Sequence, residues 1–127
     1  MSTIQVNAIQ SSTGTQEVTQ TTIFSGTAKA WSNFNGQTSA ERSSFNISSY
    51  TDNAAGDFDY NFSNGMADAD YSVSTCYDMQ NLYAGYNASL QIEALLSSDA
   101  NLKAWYGSAG ASADVSHMHA TFMGDLA

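Results

Sequence analysis

A strict two-residue alternation between residues 57 and 63 constrains the fold more than any other feature of the chain. Phe58, Tyr60 and Phe62 alternate there with acidic, amide and hydroxyl side chains. Successive side chains of a β-strand point to opposite faces, so this pattern predicts a strand with one buried aromatic face and one wet face. Strand-like segments recur every ~10–15 residues, and Asn and Gly form the turns because proline is absent. The spacing predicts an all-β fold, an antiparallel β-sandwich of jelly-roll-like type.

Three local predictions accompany this pattern. We expect Phe45, Ile47 and Ser49 to share one face of a strand. The best helical segment is a single turn around Ser97–Leu102. Cys76 is the one cysteine, so it leaves no partner for an intrachain disulfide. Because it lies in a strand-like run, we interpret it as a small buried hydrophobe.

The charge balance disfavours several classes of partner. Three basic residues stand against twelve acidic ones, a formal net charge of −9 in 127 residues. An acidic surface repels phosphate backbones and anionic lipid, so we expect no nucleic-acid binding and no membrane-surface binding. The charge favours a neutral glycan or a protein as partner. No signal peptide is predicted, and no apolar run reaches the roughly 18 residues of a membrane span, so we expect synthesis in a cytoplasm without membrane insertion.

The first 26 residues form a lead segment that is too polar to fold alone. Its apolar residues are Ile4, Val6, Ile9, Ile23 and Phe24. Their spacing predicts a strand, a turn and a second short strand, which must pair with something outside the segment. We therefore expect residues 1–26 to be an extended attachment segment, held through Ile4, Val6 and Ile9, and residues 27–127 to be a β-sandwich head. The alternative for residues 1–26 is a frayed terminus.

Several short motifs lie within residues 29–71. They are Lys29-Ala30-Trp31, Asn33-Phe34-Asn35-Gly36, Thr51-Asp52-Asn53, Gly56-Asp57, Asn61-Phe62, Met66 and Asp68. Together they resemble a recurrent module of bacteriophage tail fibres, found mostly at their distal ends. The head of the chain, TIQVNAIQSSTG, and its end, HATFMG, resemble the start and the closing strand of that module. The chain has Met-Ala-Asp where the module usually has Met-Pro-Asp, and residues 77–110 match no part of it.

The resemblance implies a virion structural protein, a short tail fibre or fibre tip that attaches the particle to the host surface. It also implies a homotrimer whose N-terminal segment binds other virion proteins and whose variable loops contact a host glycan or protein. One alternative is a capsid or tail decoration protein, also called a cement protein, that stabilises virion neighbours without binding a receptor. A third possibility is a metal-stabilised assembly hub built on His117 and His119.

Aromatic side chains interleaved with amides form the candidate ligand-binding set, because they combine a large rigid contact area with hydrogen bonding. The set is Tyr77, Tyr83, Tyr86, Asn87, Trp105 and Tyr106. The alternative is that several of these aromatic residues fill the core or a subunit contact. His117 and His119 lie two residues apart and project from one face of a strand. In a trimer they would supply six nitrogens about a threefold axis, enough for iron or another transition metal. The alternative is a pair of surface or interface histidines without metal, and we expect no other cofactor.

Two carboxylate pairs, Asp57 with Asp59 and Asp68 with Asp70, are the remaining candidates. Such pairs can bind calcium or hydrolyse glycosides. Neither pair has the glycine and terminal Glu of a calcium loop, and a pair on a strand face provides no cleft. A solvated strand face is therefore favoured. No Ser/His/Asp, Cys–His or phosphate-loop pattern is present, so we expect no enzymatic activity and no catalytic residue.

Overall fold

The computed structural model describes residues 6–78, 88–106 and 111–127. Antiparallel strands dominate these ranges: β1 (Ala8–Gln10), β2 (Glu17–Thr19), β3 (Ala30–Asn35), β4 (Ala40–Phe45), β5 (Ile47–Ala54), β6 (Asp57–Phe62), β7 (Ser72–Asp78), β8 (Ala88–Leu95), β9 (Asp99–Tyr106), β10 (Ala111–Ser112) and β11 (His117–Met123). Within the same ranges, one α-helix, α1, spans Gln20–Gly26, and a 3-10 turn spans Gly36–Thr38. The prediction of an all-β fold is confirmed.

Strands β3 to β11 form two antiparallel sheets around one core. The first sheet has the order β4–β3–β11–β7, and in the second β9, β6 and β5 are neighbours while β8 and β10 also pair with β9. Phe34 and Phe122 of the first sheet meet Phe58 and Tyr60 of the second, and all four residues are fully buried. Ring centroids across the two sheets lie between 4.9 and 6.2 Å apart. Each buried aromatic ring contributes about 1.5–3 kcal/mol, so this cluster contributes several kcal/mol to the stability of the fold.

The alternation that predicts β6 is confirmed. Phe58, Tyr60 and Phe62 are buried, while Asp57, Asp59 and Asn61 lie on the opposite face and stay partly exposed. The aromatic residues therefore face the first sheet, and the polar residues form an outer surface.

The prediction that Phe45, Ile47 and Ser49 share one face is wrong. Asn46 adopts a positive φ of 58° between β4 and β5, so the chain leaves the first sheet and enters the second at this residue. Phe45 is 54% exposed. Tyr50, by contrast, stacks on Phe34 with 4.2 Å between ring centroids. A left-handed residue between two strands breaks the alternation that a single continuous strand would keep.

The expected second strand of the N-terminal segment is replaced in part by a helix. Strand β2 ends at Thr19, and the Thr19 side chain accepts a hydrogen bond from the Thr22 backbone N–H, which caps α1. Because this threonine cap starts a helix directly after the hairpin, Ile23 and Phe24 lie in α1 and not in a strand. The helical turn predicted at Ser97–Leu102 is also absent. A tight turn brings Leu96 N to Asp99 O at 2.9 Å, and β9 then begins at Asp99.

Candidate attachment and binding surfaces

The N-terminal unit, which we define as residues 6–27, exposes apolar side chains. Ile9 of β1 lies directly opposite Val18 of β2, and these residues are 58% and 43% exposed. Val6 and Phe24 are also exposed, and α1 buries no residue. The elements of this unit pack mainly on one another. The unit therefore displays an apolar surface that a neighbouring protein can cover.

Lys29 joins the N-terminal unit to the first sheet. Its ammonium group donates to the Phe24 carbonyl oxygen, and its Nζ lies 3.3 Å from the Thr27 carbonyl oxygen and 3.2 Å from Thr27 Oγ1. Its backbone N–H donates to Phe122 O at 2.8 Å. The Lys29 side chain is buried, but its ammonium group has three oxygen acceptors. These acceptors lie at the carboxyl end of α1, where a positive charge is favoured. Of the predicted attachment residues, Val6 and Ile9 lie in the exposed unit, and Ile4 lies outside the described residues.

The outer face of the second sheet carries a polar network. Asn101 Nδ2 donates hydrogen bonds of 2.8 Å to Asp57 Oδ1 and 2.8 Å to Asp59 Oδ1. Lys103 Nζ lies 3.0 Å from Asp57 Oδ2. Burial alone would raise the pKa of Asp57, but the Asn101 amide and the Lys103 ammonium outweigh it, and the pKa is lowered. Asp57 is therefore ionised at neutral pH and fixed in position.

Trp105 lies beside this network on the same face. Its Nε1 donates a 3.2 Å hydrogen bond to Glu93 Oε1, and Lys103 Nζ lies 5.0 Å from the centroid of its ring. That distance is within the range of a cation–π contact. Contacts from β8 and β9 thus orient the indole. A fixed aromatic ring beside carboxylates and amides combines the groups that bind sugar rings and protein hot spots.

The two members of the predicted ligand-binding set whose side chains the structure describes, Tyr77 and Trp105, do not lie together. Trp105 faces outwards from the second sheet, whereas Tyr77 of β7 packs against the core, where burial raises its pKa. Tyr106 ends β9, and its backbone pairs with Ala88 and Ala111. The side chain of Tyr106 lies outside the described part of the chain. The remaining members, Tyr83, Tyr86 and Asn87, lie wholly outside the described residues.

His117 and His119 share the outer face of the first sheet. Their rings are nearly parallel, with an interplanar angle of 16° and centroids 5.9 Å apart. His117 Nδ1 lies 3.2 Å from Ser116 Oγ and 3.8 Å from Asp78 Oδ2. Within the described ranges, no three His, Cys, Asp or Glu side chains stand close enough to hold a metal ion in their present positions.

Cys76 is exposed, so the interpretation of a buried cysteine is wrong. The cysteine lies in β7 between Thr75 and Tyr77, which are directed towards the second sheet: Thr75 Oγ1 donates to Leu90 O at 3.1 Å. Alternation then places Cys76 on the outer face, directly opposite His119.

The two carboxylate pairs have different surroundings. Asp57 and Asp59 belong to the network on β6. Asp68 and Asp70 lie before β7, where Asp68 Oδ1 accepts a 2.9 Å hydrogen bond from the Asp70 backbone N–H. Both line a cavity of about 240 Å³, whose other lining residues are Ser25, Ala67, Met123, Gly124 and Asp125. This volume is below the range of roughly 300–1,000 Å³ that is usual for small-molecule sites.

Sequence reasoning named Asn101 as an amide near Trp105 but missed Lys103 and Glu93, the polar partners of the indole. Asn101, Lys103 and Trp105 alternate with Ala100, Leu102 and Ala104, which are buried. The two-residue period that identifies β6 therefore also predicts that these three residues share one outer face. Their contacts with Asp57, Asp59 and Glu93 depend on the pairing of β6, β9 and β8, for which the sequence carries no comparable signal.

An exposed aromatic pair on the first sheet was also missed. Trp31 of β3 lies directly opposite Phe45 of β4, and the two residues are 39% and 54% exposed. Trp31 faces outwards because it alternates with the buried residues Ala30 and Ser32, and the crossing at Asn46 leaves Phe45 on the same outer face.

In the described residues, no helix is long and apolar enough to cross a membrane. Comparison with protein-family models, curated proteins and solved structures finds no match.

Proposed function

We propose that this chain is a virion attachment protein, a short tail fibre or fibre tip that holds a phage particle to the host surface. The observation that carries this proposal is the presence of two surfaces with different chemistry. The N-terminal unit displays Ile9 and Val18 side by side on one face of a hairpin. The second sheet presents a polar outer face around Trp105. The first surface suits lasting burial against another virion protein, and the second suits reversible contact with a host.

The N-terminal unit has the properties of an anchor. Burying a Val, Ile or Phe side chain contributes about 1.5–3 kcal/mol. Four such side chains, Val6, Ile9, Val18 and Phe24, are each at least two-fifths exposed. Covering them would supply several kcal/mol towards the translational and rotational cost of association.

The outer face of the second sheet favours a neutral sugar as the receptor group. Asp57 and Glu93 contribute negative charge, and the Lys103 ammonium is already paired with Asp57. An anionic polymer would be repelled by this face and by the net charge of −9. A neutral sugar ring can stack on Trp105 while its hydroxyls bind the neighbouring carboxylate and amide groups.

A homotrimeric jelly-roll-like β-sandwich fits this function. In the described part of the chain, β4 and β7 are the edges of the first sheet, and β5 and β8 are edges of the second. Edge strands carry unpaired backbone groups that association can satisfy or cover. Several weak receptor contacts on one particle would then combine into strong attachment.

A decoration or cement protein is the second candidate, and the pair of Trp31 and Phe45 favours it. These exposed residues give the head an apolar surface of its own, in addition to the one on the N-terminal unit. A protein that bridges two virion neighbours needs two such surfaces.

Two variants separate these functions. Trp105→Ala removes the aromatic ring of the proposed receptor face, and the double variant Ile9→Ser/Val18→Ser removes the apolar face of the hairpin. Binding of labelled full-length protein to host cells and its incorporation into particles are measured for both, with retained folding checked by circular dichroism. We expect Trp105→Ala to lose cell binding and keep incorporation, and the double variant to show the reverse. Light scattering should give three times the 13.5 kDa chain mass.

Three results would count against the attachment proposal. The first is saturable cell binding that Trp105→Ala leaves unchanged, and the second is the absence of any cell binding by the wild-type chain. The third is a loss of particle integrity without any loss of adsorption when the protein is removed. This last result would favour the decoration protein, and an additional loss of incorporation in Trp31→Ser would support it.

A further inference from the structure

Strands β7 and β11 place four residues of types that can ligate a metal in a two-by-two arrangement. The strands are antiparallel neighbours, with His117 directly opposite Asp78 and His119 directly opposite Cys76. Residues that pair in this way point to the same face of a sheet. That face is the outer one, because Met118 and Ala120, which alternate with the histidines, are buried.

One edge of this arrangement already has nearly the spacing of a metal site. In tetrahedral zinc sites the bonds are about 2.0–2.2 Å long for nitrogen and oxygen, so two such ligand atoms lie about 3.4 Å apart. His117 Nδ1 and Asp78 Oδ2 are 3.8 Å apart. The two imidazoles lie side by side at 5.9 Å, and a modest tilt of the rings would direct a nitrogen of each towards the same point.

The side chains have room to make this adjustment. His117 and Asp78 keep 27% and 47% side-chain exposure, Cys76 is exposed and His119 is half-buried. The donor atoms do not converge in their present positions, so ion binding requires rotation about side-chain bonds. Exposed side chains change rotamer readily, whereas the backbone register that sets the four positions is fixed by strand pairing.

We propose that Cys76, Asp78, His117 and His119 bind one divalent transition-metal ion per chain, with zinc as the best fit. A thiolate, two imidazoles and a carboxylate match the ligands and the tetrahedral geometry that zinc prefers. Binding converts the Cys76 thiol to a thiolate and releases its proton to solvent. The ion would cross-link the edge strand β7 to β11 within one chain. This site differs from one in which His117 and His119 of three chains share a single ion on an axis.

Cobalt provides the direct test, because a cobalt–thiolate bond gives a near-ultraviolet charge-transfer band and tetrahedral cobalt gives intense visible bands. The untagged full-length chain is stripped with a chelator and titrated with Co²⁺, then with Zn²⁺. We expect saturation at one ion per chain, both sets of bands, and displacement of cobalt by zinc. Zinc should also raise the melting temperature, because it binds the folded state preferentially.

Variants at the four positions and matched controls on the same face complete the test. Cys76→Ser should abolish the near-ultraviolet band, and Asp78→Asn, His117→Ala and His119→Ala should each weaken binding at least ~10-fold. Ser74→Ala and Thr121→Ala change neighbouring outer-face residues that pair with each other and should leave binding unchanged. Circular dichroism of each metal-free variant checks that the fold is retained.

Two outcomes would overturn the proposal. One is the absence of saturable cobalt binding by the wild-type chain. The other is saturation at one ion per three chains with Cys76→Ser binding as tightly as wild type, which would assign the ion to histidines from three subunits.

Discussion

Tyr60 and Tyr71 form a matched pair in which removal of the same hydroxyl group should have opposite effects on stability. Tyr60 is fully buried in the core, and its hydroxyl has no hydrogen-bond partner within the described part of the chain. The Tyr71 hydroxyl is directed at two carbonyl oxygens, 3.0 Å from Leu96 O and 2.9 Å from Asp99 O. The substitutions Tyr60→Phe and Tyr71→Phe remove one oxygen atom each and keep the ring.

The expected magnitudes follow from these surroundings. A buried hydroxyl without a partner costs about 1–3 kcal/mol, which Tyr60→Phe recovers. The small void left behind, roughly 10 Å³, costs only about 0.2 kcal/mol at about 24 cal/mol per Å³. We therefore expect Tyr60→Phe to be more stable than wild type by about 1 kcal/mol. Tyr71→Phe loses hydrogen bonds worth about 1–2 kcal/mol and should be less stable by that amount.

Urea unfolding followed by tryptophan fluorescence and by circular dichroism, at one fixed protein concentration, measures both changes. The midpoints should move in opposite directions with unchanged slopes, and the melting temperatures should differ by about 8 °C or more. If Tyr60→Phe lost 1 kcal/mol or more, the Tyr60 hydroxyl would have to bind an acceptor in the folded protein. Equal losses in the two variants would refute the reasoning as well, because they would mean that the surroundings of the hydroxyls do not matter.

Two further predictions concern alkaline pH and a left-handed glycine. Burial raises the pKa of Tyr60 and, with the Asp99 carboxylate, raises that of Tyr71 from 10.0 to about 12. The stability these residues contribute is complete below pH 10 and is lost as the pH rises towards 12. The part of the tyrosinate absorbance that Tyr60→Phe and Tyr71→Phe remove should therefore rise together with the loss of circular dichroism. Ionisation of these two tyrosines with the fold intact would contradict this. Gly56 has a φ of +72°, and a Cβ there would lie 2.6 Å from Ala113 O. We expect Gly56→Ala to lower the free energy of unfolding, measured in urea, by at least about 2 kcal/mol. Gly26→Ala is the control, because a Cβ at Gly26 meets open space, and it should lower the free energy of unfolding only slightly. Equal losses in the two variants would rule out the clash.

The all-β class and the burial of individual side chains could be predicted where alternation is uninterrupted. Phe58, Tyr60 and Phe62 enter the core because β6 is a regular strand whose side chains alternate without a break. The common face of His117 and His119 could be predicted for the same reason. These features depend on the geometry of a single strand, which two-residue periodicity in the sequence expresses directly.

The features that could not be predicted depend on where one strand meets another. The positive φ of Asn46 moves the chain between sheets and exposes Phe45. The register of β7 against β11 sets Cys76 opposite His119 and Asp78 opposite His117.

The candidate sites divide in the same way. Periodicity alone determined which residues of β6, β9 and β11 turn outwards, because each strand imposes its alternation locally. Only the tertiary structure decided that Asn101 joins Asp57 to Asp59, that Lys103 pairs with Asp57, and that Glu93 holds Trp105. The physical reason is that a strand sets the direction of its own side chains, whereas their partners are set by pairing and register between segments that are distant in the sequence.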